Sequence, residues 1–144
     1  MPLFSFEGKS PRVHPNAFVA PTAVLVGDVT VEENASVWYN AVVRADFGPI
    51  VIRRGANVQD CTVVHVTPVH AVEIGAGATV GHTCVVHGAI VGEEALVGNG
   101  STVLDGARIG IYNVGREGAG MYGLGIPSDL EQFLADPISL RAVA

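Results

Sequence analysis

The 144-residue chain carries little charge and few aromatic side chains: 15% of it is Asp, Glu, Lys or Arg, and 6% is Phe, Trp or Tyr. Its 8 basic residues are outnumbered by 14 acidic ones, the net charge is −6, and Lys and Arg are scattered. That leaves no basic surface to follow a phosphate backbone and points away from nucleic acid as a partner. No apolar run approaches the ~18 residues of a membrane-spanning helix. The opening MPLFSFEGKSP has neither a basic n-region nor an apolar h-region. The expectation is a cytoplasmic protein without a membrane partner. Only two cysteines occur. Cys61 and Cys84 lack CxxC spacing and fall in strand-like segments, which predicts reduced, buried thiols acting as small hydrophobes.

What is present is a 49% hydrophobic complement, rich in Val and Ala, with 18 glycines. This suits one domain of many short strands joined by tight corners, an all-β composition. Branched aliphatic residues recur at every sixth position: Val13, Val19, Leu25, Val31, Val37 and Val43. The series resumes after an insertion at Ile52, Val58 and Val64, and after a second at Ile74, Val80 and Val86. It then slips by one residue and runs on through Val91, Val97, Val103 and Ile109, often with Ala or another small residue four places after the aliphatic one.

A period of six matches neither a helix nor an isolated strand, but it fits a short strand plus a corner, three of which close a triangular coil of about 18 residues. The aliphatic residue points inward, the small residue fills the corner, and successive coils pair as parallel ladders about 4.8 Å apart. About five such coils span residues 11–110, so 1–110 is read as a parallel β-helix. Residues 111–144 abandon the repeat but belong to the same domain. Their glycine-rich IYNVGREGAGMYGLGIP is aperiodic, and Ser128-Asp129-Leu130-Glu131 has the form of a capping box opening a short helix that ends near Ala135, before Pro137.

The repeat also serves as a ruler for the histidines. His65 follows Val64 and His87 follows Val86. Once the four-residue insertion between Val64 and Ile74 is subtracted, the two lie one coil apart on the same face. Arg44, after Val43, falls one coil below His65 in the same column. His82 comes two residues after Val80 and belongs to another face, with Gln59 and Asp60 one coil beneath it. One chain does not readily bring His82 to the other pair, whereas three-fold association would set different faces of neighbouring copies together and complete a three-histidine site. Three imidazoles plus water form a four-coordinate site suited to zinc, with iron or cobalt as alternatives. His14 and His70 have no such support in the register.

The segments Arg44-Ala45-Asp46, Asn57-Val58-Gln59-Asp60, Val64-His65-Val66, Val80-Gly81-His82 and Val86-His87-Gly88 together resemble the gamma-class carbonic anhydrases. The resemblance covers about residues 10–110. It implies a left-handed parallel β-helix of hexapeptide repeats, a homotrimer, and zinc held by His65 and His87 of one subunit and His82 of the next. It further implies that Arg44 and Asp46 form an interfacial ion pair, that Gln59 hydrogen-bonds a metal-bound hydroxide, and that Asn57 and Asp60 are its polar neighbours. The implied reaction is reversible hydration of carbon dioxide to bicarbonate.

Two departures bear on activity. The insertion after His65 is too short for the family's acidic proton-shuttle loop and offers only Glu73 at its end. His70 is the candidate substitute, since imidazole ordinarily titrates near 6.5. The C-terminal segment also leaves the repeat, and only Tyr112 and Asn113 are available there to approach the metal. Other readings of the same fold are a hexapeptide-repeat acyltransferase or thioesterase-like protein, which would need one histidine base but not three in register, and a metal-binding scaffold without activity.

Overall fold

A branched aliphatic residue at every sixth position can be buried throughout only if the chain turns a third of a circuit between successive ones. The computed structural model, which describes residues 2–110, shows this geometry: fifteen short strands, all paired in parallel, wound into a solenoid of about five coils with no helix among the described residues.

Three faces result. The first is built from β1 (Leu3–Phe4), the opening halves of β4 (Val24–Val31) and β6 (Val42–Ile52), then β8 (Val63–His65), β11 (Val85–His87) and β14 (Thr102–Val103). The second contains β2 (Arg12–Val13), the closing halves of β4 and β6, β9 (Val72–Ile74), β12 (Ile90–Val91) and β15 (Arg108–Ile109). The third stacks β3 (Phe18–Val19), β5 (Ser36–Val37), β7 (Asn57–Val58), β10 (Thr79–Val80) and β13 (Leu96–Val97). Because β4 and β6 run unbroken around a corner, the first two faces join into one sheet.

The register is the one the repeat predicts. Leu25 pairs with Val43, Val43 with Val64, Val64 with Val86 and Val86 with Val103. The first insertion is absorbed within β6, where the pairing with β4 shifts between Gly27 and Val29 so that Gly27 faces Ala45 and Val29 faces Ile50. The second is the turn after His65, where the Thr67 N–H donates to the His70 carbonyl at 3.0 Å and the His70 N–H to Thr67 Oγ1 at 2.9 Å.

From Leu25 to Val103 every inward aliphatic of the series is buried, and the small residues four places on, such as Ala41, Ala56, Thr62, Ala78 and Cys84, are buried with them. Each such Val, Leu or Ile contributes roughly 1.5–3 kcal/mol by leaving water. Thr62 is a buried polar exception, and its hydroxyl donates to the Gly81 carbonyl at 2.7 Å.

One expectation is corrected. Cys84 is buried, its thiol donating to the Gly98 carbonyl, and burial pushes its pKa up. Cys61 is exposed. It stands one place before the buried Thr62, at a corner whose backbone is left-handed (φ 59°), so its side chain lies outside the triangle. The helix expected near 128–135, with Tyr112 and Asn113, lies outside the described residues. No helix among the described residues is long and apolar enough to cross a membrane.

Candidate metal centre

Parallel stacking brings Arg44 beside His65, and His65 beside His87, on the outer surface of the first face where it turns toward the second. All three follow an inward valine, so pleating points them outward. His65 Nδ1 and His87 Nε2 face each other at 3.0 Å, with ring centroids 4.9 Å apart. The remaining nitrogen of each ring meets a carboxylate. His65 Nε2 lies 2.8 Å from Asp46 Oδ1, and His87 Nδ1 lies 2.5 Å from Asp105 Oδ1. Arg44 pairs with the other oxygen of Asp46, and its second guanidinium nitrogen is 3.4 Å from His65 Nδ1. Phe47 stands at the edge of the group, its ring centroid 6.2 Å from that of His65.

Burial raises the Asp46 pKa, but the hydrogen bond from His65, the one from the backbone and the positive charge of Arg44 together outweigh it, leaving the carboxyl below its ordinary range. An ionised Asp46 accepts a hydrogen bond from His65 Nε2–H, as Asp105 does from His87 Nδ1–H. The inner nitrogens are then left as lone pairs turned toward one another. Such an arrangement is relieved by positive charge: the Arg44 guanidinium beside His65 Nδ1, a proton, or a metal cation accepting both pairs. Imidazoles anchored through their far nitrogen to carboxylates are the usual support of metal-binding histidines. The donor set therefore fits a divalent metal such as zinc.

His82 lies at the other end of the first face, where the third face turns into it. Asp60 of the coil below reaches its Nδ1 at 3.0 Å, which leaves Nε2 as the outward nitrogen. The backbone around it is held on both sides. Asn99 Oδ1 accepts the His82 N–H at 2.9 Å, and the His82 carbonyl accepts the Gly100 N–H at 2.8 Å. Residue 81 must be glycine for this, because a Cβ there would lie 2.4 Å from Asn99 Oδ1 and 2.9 Å from the Asn99 backbone nitrogen. Among the described residues of one chain, no three His, Cys, Asp or Glu side chains converge as a metal site.

The structure thus joins Arg44, Asp46, His65 and His87 in one cluster and places Asp60 with His82 in another. Gln59 and Asn57 are on the third face, away from the histidine pair. The Asn57 amide donates to Ser36 Oγ at 2.7 Å, and its Oδ1 is buried without a partner. His70 caps the corner beyond His87, and His14 is far down the solenoid. Sequence reasoning missed Asp105 and Asn99. Asp105 follows His87 by 18 residues, one coil, but Asp-Gly at a corner reads first as a turn.

The solenoid and its histidine column define a hexapeptide-repeat β-helix protein with a potential metal centre. No family model matches the chain. It is 41% identical over 108 residues to a carbonic anhydrase of Geobacillus kaustophilus, covering 75% of this chain and 59% of that one. It is 38% identical over 110 residues to the mitochondrial gamma carbonic anhydrase 1 of Arabidopsis thaliana, covering 72% and 40%. Among solved structures it resembles a candidate acetyltransferase of Bacillus cereus (TM-score 0.73, 36% identity, 74% of this chain and 62% of that one). It also resembles a hexapeptide transferase family protein of Anaplasma phagocytophilum (TM-score 0.61, 34% identity, 75% and 70%). The chain belongs to the gamma carbonic anhydrase-like family of hexapeptide-repeat proteins. It spans little more than half the length of the Geobacillus relative and less than half that of the Arabidopsis one.

Proposed function

We propose that the protein is a metal-dependent hydro-lyase that reversibly hydrates carbon dioxide to bicarbonate at sites shared between subunits of a homotrimer. The observation that carries this reading is the pair of imidazole nitrogens facing each other at 3.0 Å, each ring anchored from behind by an aspartate. His65 and His87 hold the cation from one subunit and His82 of a neighbouring subunit completes the set, with zinc the expected metal and iron or cobalt the alternatives. When bound, such a dication supplies Lewis acidity that lowers the pKa of water toward 7.

The chain's own residues have separate tasks. Asp46 fixes the orientation of His65, and Arg44 holds Asp46 while adding a positive charge beside the site. Asp60 orients His82. In a trimer, Gln59 comes to the site from the third face with His82 and offers its amide to hydrogen-bond the reacting oxygen, with Asn57 and Asp60 as its polar neighbours. The exposed Phe47 ring gives carbon dioxide an apolar surface beside His65.

The test is metal content per protomer together with the carbon dioxide hydration rate, on the purified protein and on His82→Ala. Stoichiometric metal and activity, both lost in the variant, support the shared site. Metal without activity favours the scaffold reading, and absence of metal from the parent protein overturns the site. A second reading, acyl transfer or thioester hydrolysis, draws on the similarity to the Bacillus cereus candidate acetyltransferase, and a His–Asp pair is also the apparatus of a general base. Binding of acyl-CoA to the metal-free protein, undiminished in His82→Ala, would favour it.

A further inference from the structure

Resting on the metal reading above, we propose that Asp105 is a positioning residue that selects the tautomer of His87 and so turns its Nε2 lone pair to the cation. His87 is the more exposed of the column pair, its side chain 32% accessible against 13% for His65. Packing alone therefore holds it less firmly, and neutral imidazole is free to carry its proton on either nitrogen. Only the Nδ1–H form leaves Nε2 free to face His65. Asp105 Oδ1, 2.5 Å from Nδ1, accepts a hydrogen bond from that N–H and favours this tautomer over the other. The carboxylate is half exposed, so as an ion pair it would contribute little. Its value lies in direction.

The corner is shaped to keep Asp105 there. The Gly106 N–H donates to the Gly88 carbonyl at 2.7 Å, which sets residue 105 over residue 87. Gly88 has a left-handed backbone (φ 56°), and a Cβ on it would stand 3.2 Å from Asp105 Oδ1, 3.0 Å from His70 Cβ and 3.2 Å from Thr67 Cγ2. The turn inserted after His65 thus brings Thr67 and His70 to the same side of Gly88 as the carboxylate. A substitution at residue 88 would strain that left-handed backbone and crowd all three neighbours by a few tenths of an ångström.

Two measurements on the full chain test this, with Asp105→Ala and with Asp105→Leu, which keeps a side chain of similar length but has no acceptor. The first is the zinc dissociation constant from chelator competition. Both variants should bind 10–100-fold more weakly, the loss usual when the outer partner of a ligand histidine is removed. The second is the tautomer of His87 in the metal-free protein, read from long-range proton–nitrogen NMR correlations. The parent should hold the proton on Nδ1, and the variants should lose that preference. An affinity within twofold of the parent, or an unchanged tautomer, overturns the role. Should the parent itself take up no zinc, the metal reading fails, and the tautomer measurement still decides what Asp105 does.

Discussion

Nδ1 of His65 and Nε2 of His87 stand 3.0 Å apart although the residues are separated by 22 positions in the chain. Two strands in parallel register bring them together, and the two outer carboxylates decide which nitrogens meet.

If a cation binds at this pair in the folded protein and not in the unfolded chain, it should stabilise the fold by mass action. Free zinc at 100 times its dissociation constant is expected to add about 2.7 kcal/mol. Thermal unfolding at fixed protein concentration should show a rise in midpoint on zinc addition, reversed by chelator and absent in His87→Ala. A zinc-independent midpoint in the parent would contradict the site.

Gly81→Ala should be costly beyond its size. The added Cβ meets both the side chain and the backbone of Asn99, so the coils must part locally, at about 1–3 kcal/mol. Because Asn99 also holds the His82 amide, zinc content should fall with stability. Asn99→Ala should reduce zinc content with a smaller change in the urea midpoint, which separates positioning from packing.

Asp28 governs part of the acid response. Burial raises its pKa, but hydrogen bonds and charge from Arg12 and Lys9 prevail and hold it below the ordinary 3.8. A depressed carboxylate pKa contributes stability that is present above the ordinary value and is lost as pH falls through the folded one. Asp28→Asn should therefore be less stable at pH 7, by up to about 1 kcal/mol given its half-exposed partners. Its stability should also fall less steeply below pH 4. Urea titrations at pH 7, 4 and 3 measure both.

The ring of His70 lies over Gly106, at the mouth of the cluster and within the turn anchored by Thr67. If it carries protons to solvent, His70→Ala should lower carbon dioxide hydration several-fold in dilute buffer, recover in added imidazole, and leave zinc content unchanged. Unchanged turnover in dilute buffer would remove His70 from the proton route.

The column of Arg44, His65 and His87 was readable from the sequence because each residue follows an inward valine and the insertions could be subtracted. The grouping of Asp60 beneath His82 was readable in the same way. Asp105 was not, although it lies one coil above His87, because an Asp-Gly corner satisfies turn chemistry without any partner. Nor was the exposure of Cys61, since a corner residue one place off the buried phase looks like a strand residue in a string of letters.

The sequence by itself determined the coil, its three faces and the register of successive strands, because an aliphatic residue at every sixth position leaves no other way to bury the series. Only the tertiary structure decided which side chains touch: Asp46 behind His65, Asp105 behind His87 and Asn99 over Gly81. Those contacts depend on side-chain rotamers and on distances between coils, and periodicity carries no record of either.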